Sequence, residues 1–288
     1  MIEVNLEQRE HSRRIGSRCE YIEPTVFESC LLKDDGVTIG AYIHDVREYD
    51  QKLAKIMTVA NAEFRSDNVP KQLLERSDVM SYTKAGLTRK QAKQLATVQY
   101  STILGSIPPK PLMRRNYRNR SSVHREQKAN QFVKAMLFGA QRVDEIFRNL
   151  MPQQHEAHVQ AVAEIQEKWR FGRLFTSSIS NFNIAAPFHR DRANIRGTLN
   201  AIYTVRENAQ GGCLYVPDYD ACFEMPSHSL LLYPAWRNTH AVTPIKPTHD
   251  GGYRNSLVWY ALEGFFGDEH SSMTTETPEL KNETTEDD

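Results

Sequence analysis

From Arg173 to Leu262 the chain breaks into short β-prone runs separated by turns: LFTSSISNF, GTLNAIYTV, GGCLYVP, ACFEMP, SLLLYPA and YRNSLVWYAL. Several short strands at such close spacing indicate a sandwich or barrel. Between the first two runs lies the polar cluster His189-Arg190-Asp191-Arg192-Ala193-Asn194, flanked by apolar sequence on both sides.

Upstream the texture differs. Residues 24–43 hold two β-prone runs around Asp34-Asp35-Gly36, a strong hairpin signal. From Asp45 to about Arg65, Val46, Tyr49, Leu53, Ile56, Met57, Ala60 and Phe64 recur at the helical period. Thr88 to Tyr100 and about Ser122 to Leu150 repeat the pattern, so residues 45–168 are expected to be mostly helical. After Gly267 the sequence is polar and acidic with no apolar period, and is expected to be disordered.

A chain of 288 residues with 40% hydrophobic and 25% charged content can bury a real core. Its formal net charge is zero, so the totals demand neither a nucleic acid nor an acidic membrane. Cys19, Cys30, Cys213 and Cys222 show no CxxC spacing, and the first residues are charged where a signal peptide is apolar. These features point to a reducing, intracellular setting. No run approaches the roughly 20 apolar residues of a membrane span.

In a strand, residues two apart share a face, so His189 and Asp191 can aim at one point while Arg190 faces away. Alone, an HxD pair is weak, because surface sequences produce it often. His240, in YPAWRNTHAVTPI, supplies a third ligand. Two imidazoles and one carboxylate with open positions form the facial triad of non-haem Fe(II) oxygenases, and no cysteine is placed to close the site. In YRNSLVWYAL, Arg254, Ser256, Val258 and Tyr260 alternate onto one strand face. A guanidinium can grip a carboxylate through two parallel hydrogen bonds and a serine hydroxyl can add a third, as the distal carboxylate of 2-oxoglutarate needs. Singly, each of these residues also has an ordinary reading as a surface pair, a core histidine, an ion-pair partner or core packing. Their order and shared faces favour the metal and co-substrate reading. His124, His228 and His249 have nothing to place them at the metal.

Taken together, His189, Asp191, His240, Arg254 and Ser256 resemble the signature of the Fe(II)/2-oxoglutarate dioxygenase superfamily. Within it they are most similar to the TET/JBP branch, which hydroxylates the methyl group of 5-methylpyrimidines in DNA. Asn194 sits where that branch's HxDxxN motif places a base-contacting asparagine, and Tyr260 where its base-stacking tyrosine falls. The resemblance covers roughly residues 173–264. It departs at Pro226-Ser227-His228, where Pro-Gly is usual, and at Leu262, where the TET proteins place a second base-contacting histidine. No cysteine-rich zinc-binding region precedes the core.

The resemblance implies an α+β protein: a double-stranded β-helix (jelly-roll) catalytic core over 169–267, with the hairpin and mainly helical region 1–168 packed on it and 268–288 as a tail. It implies Fe(II) held by His189, Asp191 and His240, 2-oxoglutarate held by Arg254 and Ser256, and dioxygen as oxidant. The implied substrate is 5-methylcytosine in DNA, or thymine, flipped out of the duplex onto Tyr260 and Asn194. The segment IPPKPLMRRNYRNRSSVHR concentrates Arg114, Arg115, Arg118, Arg120 and Arg125 around Tyr117. It is either a solvated loop or a phosphate-binding patch, with Arg114 and Arg115 the candidate contacts. The rival expectation is a hydroxylase of a free nucleoside, an amino acid or a protein side chain. Nothing in the sequence sets an oligomeric state.

Overall fold

The computed structural model of the chain describes residues 1–74, 76–95, 97–109 and 117–267. It opens with β1 (Ile2–Leu6), β2 (Cys30–Asp34) and β3 (Val37–Ile43), then helices α1 (Val46–Tyr49) and α2 (Gln51–Arg65). Next come β4 (Gln72–Leu73), α3 (Arg76–Lys84), α4 (Arg89–Leu95), β5 (Tyr100–Ile107), β6 (Asn119–Arg120), α5 (Asn130–Leu150) and α6 (Pro152–Ala161). The remainder is β7 (Ser177–Phe182), β8 (Asn200–Glu207), β9 (Ala209–Gly211), β10 (Leu214–Val216), β11 (Ala221–Phe223), β12 (Ser229–Tyr233), β13 (Ala241–Val242), β14 (Ile245–Pro247) and β15 (Tyr253–Tyr260).

The expected hairpin forms β2 and β3. Asp35 (φ 51°) and Gly36 (φ 74°) both take the left-handed conformation, as a two-residue turn matched to strand twist requires. The main sheet runs β1-β2-β3-β12-β8-β15-β7-β5-β4, with β1 parallel to β2. A smaller sheet, β11-β10-β13, packs against it. Ile202, Leu231 and Tyr233 from the main sheet meet Leu214, Val216 and Phe223 from the small one in a shared apolar core. Together they make the expected jelly roll. It draws strands from both sides of residue 168, since β3 pairs with β12 and β5 with β7.

Helices cover the opposite face of the main sheet. Along α5, Phe132, Met136, Ala140, Val143 and Phe147 are buried at helical spacing; Leu53, Met57, Ala60 and Phe64 do the same along α2. Burying each large side chain contributes about 1.5–3 kcal/mol, so this layer is a principal source of stability. Asp50 caps α2 by accepting from the Leu53 N–H at 2.9 Å. The same carboxylate accepts from Arg142 Nε and Nη2 at 3.0 and 2.6 Å, which ties α5 to α2.

Two expectations change. The helical pattern of Thr88 to Tyr100 ends early: α4 stops at Leu95 and Tyr100 opens an eight-residue strand, β5. Its β-branched residues and a free edge on β7 outweigh the local period, because the stretch from Tyr100 to Gly105 pairs with β7 there. The stretch from Ser122 to Leu150 starts with two 3-10 turns, and the α-helix begins only at Asn130. The 268–288 tail lies outside the described residues. No helix among the described residues is long and apolar enough to cross a membrane, and all four cysteines are free and buried.

Candidate active site

The span from His189 to Asp191 is not the regular strand that its alternation suggests. Pro187 has no N–H to give a ladder, and the only pairing here is an isolated bridge. In that bridge His189 and His240 each donate their backbone N–H to the other's carbonyl oxygen at 2.9 Å. The Asp191 N–H donates to Ala235 O at 3.0 Å, just past β12, and so pins the loop to the sheet. An N-terminal strap holds its other side, where the Gly16 N–H donates to Phe188 O at 2.7 Å and the Phe188 N–H to Ser17 O at 3.0 Å.

The three candidate ligands converge as expected. Nε2 of His189 lies 3.4 Å from Oδ1 of Asp191, and ligand atoms of His189, Asp191 and His240 all lie within 4.8 Å of one another. His189 Nδ1 meets Pro187 O at 2.7 Å and His240 Nδ1 meets Asn238 O at 3.1 Å. A carbonyl can only accept, so both Nδ1 atoms carry the hydrogen and both Nε2 lone pairs are free for a metal. Burial, and then the neighbouring His189, push the His240 imidazole down to about 4, which keeps it neutral near pH 7. Among the described residues no fourth His, Cys, Asp or Glu joins the cluster, so a metal there would keep open positions.

Arg254 faces the same cavity of about 580 Å³. It is 2% exposed, and among the described residues its Nε has no partner and Nη2 makes only a long contact to Thr204 Oγ1 at 3.5 Å. Burial, and then the charge of Arg206, push its pKa down to about 10. A buried guanidinium without a carboxylate is costly unless an anion arrives to accept from it. Gly212 (φ 69°) leaves the room: a Cβ there would lie 3.1 Å from both Cδ and Nε of Arg254. Ser256 Oγ is adjacent on the same face and accepts from Asn181 Nδ2 at 3.4 Å. The donor set therefore fits an iron ion and the two carboxylates of 2-oxoglutarate.

Tyr260 and Asn194 also line this cavity, with Leu214, Val242 and Val258 supplying apolar wall. Burial pushes the Tyr260 phenol well above its ordinary pKa. Asn194 is 4% exposed, and its Nδ2 donates to Asn200 Oδ1 at 2.7 Å. Asn200 Nδ2 in turn donates to Asp191 Oδ2 at 2.9 Å. No spacing rule marks Asn200, which opens β8 nine residues after Asp191, and sequence reasoning missed it.

At the departures noted above, Leu262 contributes an apolar side chain to the wall, and His228 takes the left-handed conformation (φ 66°) and pairs with Tyr203 Oη at 2.8 Å. Arg114 and Arg115 lie outside the described residues. Two arginines of their segment are committed to structure: Arg118 donates to Phe266 O and Gly267 O, and Arg120 to Arg170 O and Lys168 O. His124 accepts from the Gly105 N–H at 2.7 Å, away from the cavity.

A jelly roll with an open His-Asp-His cluster facing a buried arginine has the layout of a non-haem iron oxygenase, and residues 110–263 match the oxygenase domain of the 2OGFeDO superfamily. The chain belongs to the Tet_JBP family of that superfamily and is a 2-oxoglutarate- and iron-dependent dioxygenase. The match begins well before residue 173, so it includes α5 and α6 as well as the β core. Among solved structures, the chain is similar to NgTET1 in complex with 5mC DNA, at 12% identity and a TM-score of 0.56 over 93% of this chain and 88% of that one. A 2OG-Fe(II) oxygenase family oxidoreductase from Burkholderia pseudomallei has 12% identity over 77% of this chain and 84% of that one; its TM-score of 0.45 adds nothing to the fold argument. No curated protein sequence matches the chain.

Proposed function

We propose that the protein hydroxylates the methyl group of a 5-methylpyrimidine in DNA, converting 5-methylcytosine to 5-hydroxymethylcytosine. The observation that carries this reading is the shared cavity, in which the His-Asp-His cluster, the unpaired Arg254, Tyr260 and Asn194 line one space. The NgTET1 structure with 5mC DNA supports the choice of substrate.

In this reading His189, Asp191 and His240 hold Fe(II), and Arg254 with Ser256 holds the far carboxylate of 2-oxoglutarate. Iron and 2-oxoglutarate, when bound, would let dioxygen act as the oxidant: one oxygen atom becomes the new hydroxyl on the methyl group and the other goes to 2-oxoglutarate, which leaves as succinate and carbon dioxide. The chain's own residues do the positioning. Arg254, already stripped of water, offers hydrogen bonds at little reorganisation cost. Leu214, Val242 and Val258 keep the cavity dry.

A methyl group in the major groove reaches a recessed centre only if its nucleotide is extruded from the duplex. Tyr260 then stacks on the extruded base and Asn194 bonds to its edge. Extrusion costs a few kcal/mol, which phosphate contacts must help to offset. Arg190 and Arg192 are exposed on the cavity rim and suit that task, together with Arg114 and Arg115 from the earlier segment.

The test is mass spectrometry of nucleosides after incubation with Fe(II), 2-oxoglutarate and methylated or unmethylated DNA. Hydroxymethylcytosine should form from methylated DNA alone and disappear in Asp191→Ala. Steady 2-oxoglutarate consumption with no modified nucleoside would move the substrate to a free nucleoside, an amino acid or a protein side chain.

A further inference from the structure

The amide relay behind the metal site sets an orientation that the sequence leaves open. A side-chain amide can present either its oxygen or its nitrogen, so an asparagine at a base-binding position does not by itself choose between pyrimidines. Here the choice is forced from the metal side. The Asp191 carboxylate can only accept, so Asn200 must turn Nδ2 toward it, at 2.9 Å. That turns Asn200 Oδ1 toward Asn194, which must answer with its own Nδ2, at 2.7 Å. That leaves Asn194 Oδ1, on a residue lining the cavity, with no hydrogen-bond donor among the described residues.

We propose that Asn200 is a positioning residue with two effects: it fixes the Asp191 carboxylate for the metal, and through Asn194 it presents an obligate hydrogen-bond acceptor to the substrate. The second effect rests on the DNA reading above and deepens it. Beside its C5 methyl, 5-methylcytosine carries an exocyclic amine that donates, where thymine carries a carbonyl that accepts. An acceptor locked at that edge pairs with the amine and opposes the carbonyl. Two buried acceptors facing each other leave both without a donor, a penalty that reads out as about a tenfold or greater preference for the amine-bearing base.

Reversing the amide is the obvious escape, and the relay blocks it. Turning Asn194 would set Oδ1 against Asn200 Oδ1, and turning Asn200 as well would set its oxygen against the Asp191 carboxylate. Asn194 (4% exposed) and Asn200 (2% exposed) are both largely buried, so the opposed acceptors that a reversal would create find no donor from the protein among the described residues. The specificity of the substrate pocket is thus anchored to the charge of a metal ligand. Two amides carry the link across six residues of chain.

Asn200→Ala and the near-isosteric Asn200→Leu test this on the full chain, with the melting temperature of the metal-free protein as a control for folding. Chelator competition under nitrogen measures Fe(II) affinity without any substrate, and should show a loss of about 10- to 100-fold in both variants. Competition between 5-methylcytosine- and thymine-containing oligonucleotides should show the wild-type preference collapsing toward unity, because the Asn194 amide is then free to turn. Folded variants with unchanged Fe(II) affinity and an unchanged base ratio would overturn the proposal. Weakened iron with an intact ratio would overturn the specificity half. A wild-type preference for thymine would overturn the acceptor assignment. If wild-type protein modifies neither base, the DNA reading fails and the specificity half with it, while the iron measurement still decides the role of Asn200 toward Asp191.

Discussion

The two faces of β15 differ in what surrounds them, although they alternate along one strand. Tyr253, Asn255, Leu257 and Trp259 turn to the helical layer, where protein groups meet most of their polar atoms. Trp259 Nε1 donates to Met136 O at 3.1 Å, Asn255 Nδ2 to Asn61 Oδ1 at 2.6 Å, and Asn61 Nδ2 to Tyr253 Oη at 3.1 Å. Among the described residues Asn255 Oδ1 lacks a donor there, as do the neutral hydroxyls of Ser180 and Ser178, which pair with Leu257 and Trp259 from β7. Arg254, Ser256, Val258 and Tyr260 turn to the cavity, where a buried guanidinium has no carboxylate partner among the described residues. On one face the unpaired groups are neutral, while the other holds a buried charge that a carboxylate ligand would complete. Burial alone does not separate a core from a site; a buried charge without a counter-charge does.

Substitutions on the two faces should therefore fail in different ways. Trp259→Ala should cost about 3–5 kcal/mol of stability, a fall in melting temperature of roughly 10 °C, while the folded fraction keeps its 2-oxoglutarate affinity. Equal loss of both would break the contrast. Arg254→Met should do the reverse. Losing the buried cation proposed to hold the distal carboxylate should cost about 2–5 kcal/mol of binding, at least a 30-fold weaker apparent affinity for 2-oxoglutarate. Its thermal stability should be unchanged or higher, because an unpaired buried charge is removed. A strongly destabilised Arg254→Met would show that the guanidinium is part of the core after all.

The helical side also makes a pH prediction. His158, fully buried, accepts the Leu199 N–H on Nδ1 at 3.3 Å, and its Nε2 bonds to Leu174 O at 2.9 Å, so both nitrogens are used by the neutral ring. Burial pushes its pKa down to about 4 from the ordinary value of 6.5. The folded state thus binds the proton less readily than the unfolded one. The contribution is fully present above about pH 6.5 and is lost as pH falls toward 4, of the order of 3 kcal/mol. Urea unfolding between pH 7 and 4 should show that loss, and His158→Gln should flatten the profile. On the cavity side, Tyr260→Leu should weaken DNA turnover through KM by the 1–3 kcal/mol of one stacked base, with 2-oxoglutarate affinity unchanged. An equal loss in both would mean that Tyr260 serves the co-substrate.

How much of this was legible in the sequence follows from the range over which each feature is determined. The β2–β3 turn, the helical stripes of α2 and α5 and the strand face of Arg254 to Tyr260 are local patterns, and they read correctly. The convergence of His189, Asp191 and His240 was legible because the three residue types carry a chemistry of their own, even though the HxD span is a loop tied down by His240 and Ala235. β5 was hidden because its pairing with β7 is remote in the chain. The strap holds the His189 loop by the backbone bonds of Gly16 and Ser17 and by Arg13 over the Phe188 ring, contacts between segments far apart in the chain that no local pattern marks. Asn200 was invisible for a related reason: its role comes from two neighbours brought together by the loop between them, with no spacing that repeats.

The most direct test of the two-faced strand is an anaerobic titration of the Fe(II)-loaded protein with 2-oxoglutarate, followed by the visible charge-transfer absorbance of the chelated co-substrate. Wild-type protein should saturate, Asp191→Ala should give no band, and Arg254→Met should need at least about 30-fold more 2-oxoglutarate to reach the same band. An Arg254→Met curve superimposable on wild type would contradict the account, because the cavity face of β15 would then not be the seat of the co-substrate.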